Sequence, residues 1–277
     1  MKGRLKWLMP LVIGVALVGT ACSSDDSGDS ESSDGGNSEA SAAASTYTLK
    51  TEGTLTICSD APYEPFEMEI DGKWTGFDMD LINAIAGAMD LETSVTVVPF
   101  DGIWLLPAAG ECDIVVSAMT ITEERAKSTL FTDPYFDADQ SLLVRADQAD
   151  EFPTLESLAG KNIAVQTGTT GETYAQDHKP EGSTLISFDE PAAMFLALEA
   201  GDVDAILQDL PVNGYRSTQD DSMVVTETFP TGEQYGFAVD PDNAGLAEAV
   251  NTELAALRDG GAYNEIFAKW FGGAAGN

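Results

Sequence analysis

Two residues of opposite charge, Arg125 and Asp209, each follow an apolar strand-like run, and together they supply what a zwitterion needs. Arg125 comes after Ala118-Met119-Thr120-Ile121-Thr122 and is isolated, because no Lys or Arg occurs between Trp74 and Glu124. A guanidinium is a planar fork matched to a carboxylate. Taken singly, Arg125 is equally an ion-pair partner for Glu123 or Asp133. Asp209 follows Ala205-Ile206-Leu207-Gln208 and could accept from an ammonium group; alone it reads as a helix cap before Pro211. Gln166-Thr167-Gly168-Thr169-Thr170 turns from strand to helix and has the composition of an N–H nest for an anion. Buried charges are tolerated only when paired. A ligand meeting a cation from one block and an anion from another would bridge both.

Catalytic signatures are missing. The chain has no G-x-S-x-G elbow, P-loop, G-x-G-x-x-G or H-E-x-x-H, and its one histidine, His178, falls in Asp177-His178-Lys179-Pro180, read as a solvated loop. With one His and no C-x-x-C, neither a zinc site nor another cofactor is expected.

The elements that must position these residues alternate between strand and helix, which predicts an α/β protein. Strands are predicted at Leu55–Cys58, Thr93–Val98, Asp113–Ala118, Ser141–Val144, Asn162–Val165, Leu185–Ser187, Ala205–Leu207 and Tyr235–Val239. Helical spacing marks Phe77–Met89, Ile103–Ala109, Ala192–Glu199 closed by Gly201, Leu246–Leu257 and Tyr263–Phe271, with another helix after Thr169. Thr122 is placed to cap a turn at Arg125. In open α/β sheets ligands collect at the carboxyl ends of strands, where Arg125 and Asp209 stand. Ala109-Gly110-Glu111-Cys112-Asp113 and Ala200-Gly201-Asp202-Val203-Asp204 echo one another, as two similar lobes would.

Charge and the N-terminus bound the rest. Against 47 Asp plus Glu stand 13 Lys plus Arg, a formal net of -34. So negative a surface repels nucleic acid and offers no basic patch to anionic lipid. Lys2, Arg4 and Lys6 precede an apolar run from Trp7 to Val18, too short to span a bilayer, and then Gly19-Thr20-Ala21-Cys22. Residues 1–21 read as a signal peptide, with Cys22 resembling a lipobox cysteine although Gly19 stands where Leu is usual. Ser23 to Thr46 holds nine Ser and six acidic residues in 24, a solvated tether. Thus 22–46 is expected to link an acylated Cys22, on the outer face of the cell membrane, to the globular part. Cys58 near the end of one strand and Cys112 before the start of another fall at opposite ends of a parallel sheet, which predicts two buried free thiols.

From about Leu55 to Gly272 the chain resembles the bacterial extracellular solute-binding proteins of family 3, the polar-amino-acid receptors of ABC importers. The resemblance rests on Tyr63-Glu64-Pro65-Phe66, Gly76-Phe77-Asp78-Met79-Asp80, Phe100-Asp101-Gly102-Ile103, Thr120 to Arg125, Phe131 to Tyr135, Gln166 to Thr170, Gly201 to Ala205, Asp209 and Gln234 to Ala238. It implies a two-lobed, type II periplasmic-binding-protein-like fold. Lobe 1 would comprise 47–138 plus 235–277 and lobe 2 139–234, with a two-strand hinge near Asp139 and Gly232. It implies that Arg125 grips an α-carboxylate with Thr120 and the backbone at Gly168, Thr169 and Thr170. Asp209 would take the ammonium together with a main-chain carbonyl in the Ala118–Met119 stretch. Asp60, Tyr63 and Phe100 would line the side-chain pocket with Gln166 and Gln208. Phe66 and Trp104 are assigned to core packing, and Gly76 to Asp80 to the fold. The implied function is binding of a free α-amino acid and delivery to an ABC permease and its ATPase by a monomeric, non-enzymatic protein. Gln166, Gln208 and Thr167 suggest a glutamine-like ligand, and Asp60 keeps a basic one open. The alternatives are a cyclohexadienyl dehydratase-like enzyme on the same fold and an amino-acid sensor receptor. The large negative charge has no explanation in the motifs.

Overall fold

The computed structural model describes residues Thr46–Gly272. The signal segment 1–21, Cys22 and all of the tether before Thr46 lie outside the described residues. Among the described residues no helix is long and apolar enough to cross a membrane.

The first lobe begins with β1 (Thr54–Ser59), a small hairpin of β2 (Met68–Ile70) and β3 (Lys73–Thr75), α1 (Phe77–Ala88), β4 (Glu92–Val97), β5 (Ile114–Val115) and β6 (Leu130–Phe131). The chain then crosses over on β7 (Phe136–Arg145). It builds the second lobe from β8 (Asn162–Gln166), α2 (Thr170–His178), β9 (Thr184–Phe188), α3 (Pro191–Ala200), β10 (Ala205–Asp209) and α4 (Leu210–Gln219). It returns on β11 (Met223–Tyr235) and closes the first lobe with β12 (Ala238–Val239), α5 (Ala244–Asp259) and α6 (Ala262–Phe271). The first sheet has the order β4-β1-β5-β12-β6 and the second β11-β7-β10-β8-β9. In the first, β1 runs parallel to β4 and β5; in the second, β8 runs parallel to β9 and β10. The architecture is two-lobed and mixed α/β.

The long antiparallel pair β7 and β11 joins the lobes. Its register slips between Phe229 and Glu233, opposite Asp139, whose Oδ1 accepts from the Gly232 N–H at 3.2 Å. Gly232 sits at φ 66°, a conformation few residues other than glycine tolerate.

The cores differ in kind. The first packs aromatic rings edge to face and stacked: Phe66 against Phe77, Phe136, Tyr235 and Phe271, and Tyr135 on Phe237 at 4.3 Å. Phe66 is fully buried there, a core residue as expected. The second is largely aliphatic, with Leu142, Val144, Ile163, Val165 and Leu207 on one face of its sheet and Leu143, Ala164, Leu198 and Ile206 on the other.

The thiol expectation is overturned. Cys58 and Cys112 form a disulfide with Cα atoms 5.8 Å apart. β5 is only two residues long, so Cys112 is not a strand residue. The loop before β5 instead folds Cys112 into a small apolar cluster with Cys58, Phe100, Ile103 and Met119. Closing a span of 54 residues removes about 4 kcal/mol of unfolded-chain entropy in the loop model.

The predicted helix at Ile103–Ala109 shrinks to a 3-10 turn at Ile103–Leu105. The strand predicted at Asp113–Ala118 keeps only Ile114–Val115, because Ala118 adopts φ 39° and ends it. α4 and the length of β11 were not anticipated. His178 closes α2 rather than a loop, with its ring 4.0 Å from that of Tyr174.

Candidate functional site

The site is built where the two sheets face each other across the crossing strands. Asp60, Tyr63, Phe100, Ser117, Ala118 and Thr120 come from the first lobe, and Gln166, Thr169 and Asp209 from the second. They enclose a cavity of about 10 Å3, room for about one water. The lobes are therefore closed on each other, and their polar groups satisfy one another across the gap.

Arg125 opens a 3-10 turn, its N–H donating to Thr122 Oγ1 at 3.1 Å, the cap expected from sequence. Its side chain is 5 % exposed. Nη1 donates to the Thr120 carbonyl at 2.7 Å and Nη2 to the Gly168 carbonyl of the other lobe at 3.1 Å. The guanidinium carbon stands 5.2 Å from the Phe100 ring and 5.0 Å from the Trp104 ring. Trp104, assigned to the core, therefore forms one wall of the cation's seat. Burial pulls the guanidinium pKa down to about 10, against the opposing pull of Asp209 and Glu233. Among the described residues Arg125 joins no ion pair with Glu123 or Asp133.

Asp209 ends β10 at the head of α4, but its side chain does not cap that helix. It accepts instead from Tyr63 Oη at 3.0 Å, from Tyr235 Oη and from Gln140 Nε2 at 2.6 Å. Three neutral donors hold the buried carboxylate. Desolvation, and then the charge of Glu233, push its pKa up to about 6. Tyr63 belongs to the first lobe, so this contact also crosses the cleft.

The third pole is Asp60. Its N–H donates to Ser117 Oγ at 3.0 Å, and its Oδ2 accepts from Gln166 Nε2 at 2.5 Å, again across the lobes. Burial first, and also Glu190, raise its pKa to about 6.

The loop Gly168–Thr169 needs its glycine. Gly168 has φ 78°, and a Cβ there would come within 2.7 Å of Asp101 Oδ1 in the facing lobe. The expected N–H nest is partly occupied: the Gly168 N–H donates to Glu172 Oε2 at 2.9 Å, and Thr169 Oγ1 caps the Glu172 N–H at 3.0 Å. Gly168 thus turns its carbonyl, not its N–H, toward Arg125. Thr170 Oγ1 reaches Thr120 Oγ1 at 3.4 Å and Glu233 Oε2 at 2.6 Å.

Ala118 holds the left-handed φ noted above because its N–H is tied to the buried Asp78 Oδ2 at 2.9 Å. Tyr135 Oη donates to the same oxygen at 2.5 Å. Asp78 is pushed up to about 6 by burial, and the neighbouring Glu67 well above the usual carboxylate range by burial and by Asp78. The Gly76 to Asp80 segment thus serves the fold and, through Ala118, the cleft wall.

One expected ligand contact lies elsewhere. Gln208 points away from Asp209, as strand alternation dictates, and its Nε2 donates to Asn213 Oδ1 at 2.8 Å inside the second lobe. The Met119 carbonyl accepts from the Gly236 N–H at 3.1 Å, and its side chain is fully buried beside the disulfide. Conversely, Gln140, Glu233 and Tyr235 enter the site from the crossing strands without having been singled out. Alternate residues on β7 and β11 share one face, but only the pairing of the two strands shows which polar groups meet there.

Residues 55–273 match the model of bacterial extracellular solute-binding proteins, family 3. ABC transporter arginine-binding protein 1 of Escherichia coli K12 is 35% identical over 218 residues, 76% of this chain and 88% of that protein. The structure of an ancestral arginine-binding protein bound to arginine superposes with a TM-score of 0.74 at 36% identity, covering 79% of this chain and 99% of that one. An ancestral arginine-binding protein bound to glutamine gives 0.73 at 36%, covering 80% and 100%.

Proposed function

The chain belongs to the bacterial extracellular solute-binding proteins of family 3, and from that premise we propose that it captures a free cationic α-amino acid, arginine first, between its lobes. The reading continues that it delivers this ligand to an ABC importer from the outer face of the membrane, tethered through an acylated Cys22. The observation that carries the proposal is the pair of buried, opposite charges on separate lobes, each held only by neutral groups. Arg125 has carbonyls and rings around it. Asp209 has phenols and an amide. An α-carboxylate and an α-ammonium would supply the directly bonded counter-charges both lack, closer than the pull of Asp209 and Glu233 on Arg125, at the cost of hydrogen bonds that neutral partners give up. The backbone N–H groups at Thr169 and Thr170 would help with the carboxylate, and the Ala118 carbonyl with the ammonium.

Asp60 favours a cationic side chain over the glutamine-like one suggested by Gln166, Gln208 and Thr167. Gln208 is turned into the second lobe, whereas Asp60 is buried in the cleft under the influence of Glu190. A guanidinium placed between Asp60 and the rings of Tyr63 and Phe100 would be paired and stacked. Names of relatives point the same way: arginine-binding in Escherichia coli and in the ancestral protein.

Binding across the cleft requires the lobes to part and reclose. Only a ligand with higher affinity for the closed form shifts that balance. A thermal-shift screen of the twenty amino acids is the direct test, since a ligand in excess raises the melting temperature by mass action. Arginine is expected to raise it most, with lysine or histidine next. If no amino acid raises it while prephenate is turned over, the enzyme reading replaces this one.

A further inference from the structure

Glu233 takes no part in the site as read from sequence, yet its half-buried carboxylate bonds to groups of both lobes beside the closed cleft. It follows directly on the register slip of β11, pairing with Ala138 of β7. Residues directly opposite in an antiparallel pair share a face, so Glu233, Ala138 and Gln140 point the same way. Glu233 Oε2 accepts from Thr120 Oγ1 at 2.8 Å and from Thr170 Oγ1 at 2.6 Å, and Oε1 accepts from Gln140 Nε2 at 3.1 Å. Thr120 belongs to the first lobe, Thr170 opens α2 of the second, and Gln140 lies on a crossing strand. Gln140 Nε2 also reaches Asp209 Oδ1 at 2.6 Å. A continuous chain of hydrogen bonds therefore runs from Thr120 through Glu233 and Gln140 to Asp209.

We propose that Glu233 is a positioning residue for closure, tying Thr120 of one lobe to Thr170 of the other and thereby setting how long the closed cleft holds its ligand. The inference rests on the two-lobed closure of the proposed function but not on which amino acid binds. A single carboxylate oxygen receiving a hydroxyl from each lobe is a clasp stronger than the neutral contacts around it. It can form only when both hydroxyls approach together, so it stabilises the closed state and leaves the open one unaffected. The nearby Arg125 guanidinium, whose charge is sustained partly by Glu233, keeps that carboxylate from standing alone.

The prediction separates closure from encounter. In Glu233→Ala, L-arginine should dissociate about tenfold faster in stopped-flow fluorescence while its association rate stays within about twofold, because clasps act on release. Spin labels on Glu92→Cys and Glu156→Cys, exposed positions on the two lobes, in a Cys22→Ser background, should report a longer distance in the ligand-free variant than in the parent. Thr170→Val should shift both readings the same way by less, and the double variant should come close to Glu233→Ala alone, since the Glu233 bond that Thr170→Val removes is one of the three lost in Glu233→Ala. Glu233→Gln keeps an acceptor oxygen and should fall between; it carries the test if the alanine variant fails to fold. Unchanged label distances and release rates overturn the proposal. So does tighter L-arginine binding in Glu233→Ala, which would make Glu233 a competitor for the hydroxyls rather than a clasp. Should the parent not bind L-arginine at all, the ligand reading fails, while the label distances still decide the role of Glu233.

Discussion

The two charged poles of the cleft are held in opposite ways. Arg125 is gripped by acceptors and faces, namely two main-chain carbonyls and two aromatic rings. Asp209 is gripped by donors, two phenols and a carboxamide. Burial drives each toward its neutral form: the guanidinium falls to about 10 and the carboxyl rises to about 6. Because a guanidinium starts so far above neutrality, it keeps its charge at every physiological pH, whereas the carboxyl is brought within reach of protonation. The positive pole is permanent and the negative pole is conditional. On the proposed reading such a site would hold a carboxylate at all physiological pH values and an ammonium only when the medium is not acidic.

That contrast can be broken at several points. Arg125→Ala should cost the largest amount, a loss of L-arginine affinity of about a hundredfold or more, because the ligand carboxylate is left desolvated and unpaired. Titration calorimetry checks it, with far-ultraviolet dichroism confirming the fold; retained micromolar affinity removes Arg125 from the site. Asp209→Asn should cost less, about tenfold to a hundredfold, since the amide keeps an acceptor oxygen but loses the charge.

Lowering the pH from 7 to 5 should weaken binding about tenfold through Asp209 alone, as the fraction ionised falls below a pKa of about 6. Stability should move the other way. A carboxyl whose folded pKa lies above its unfolded value of 3.8 binds more protons folded than unfolded between those values, so stability falls as pH rises through that window. The ligand-free melting temperature should accordingly be higher at pH 5 than at pH 7, and the opposite order would mean that these three carboxyls are not buried as described. Asp60→Asn is the smallest and most selective change. It should weaken L-arginine by about tenfold and leave L-glutamine nearly unaffected, measured by competition; equal losses for both would assign Asp60 to the scaffold.

Much of this arrangement is legible in the sequence, and the omissions have physical causes. The strands carrying Arg125 and Asp209 and the helix behind Thr169 follow from apolar runs and capping residues, which are local signals. The disulfide was missed because the parallel-sheet argument treated Cys112 as the foot of a strand, while its loop folds back over the face of the first sheet. Gln208 was misplaced because polarity was read without alternation; its neighbour Asp209 takes the cleft side, so Gln208 cannot. α4 was not set among the helices although Asp209 alone reads as a cap before Pro211, and proline is well suited to a first helical turn. Gln140, Glu233 and Tyr235 escaped because nothing in a single strand announces that its polar residues will meet a partner strand 90 residues away. Only pairing of β7 with β11 shows it.

One comparison of three compounds tests the central claim, that opposite charges on separate lobes hold the two ends of a zwitterion. Calorimetry with L-arginine, with agmatine, which lacks the carboxylate, and with 5-guanidinopentanoate, which lacks the ammonium, asks each pole separately. The account predicts that both truncated compounds bind at least about a hundredfold more weakly than L-arginine, with 5-guanidinopentanoate the less impaired below pH 6, where Asp209 takes up a proton. Agmatine binding as tightly as L-arginine would contradict it, because Arg125 would then have no carboxylate to hold.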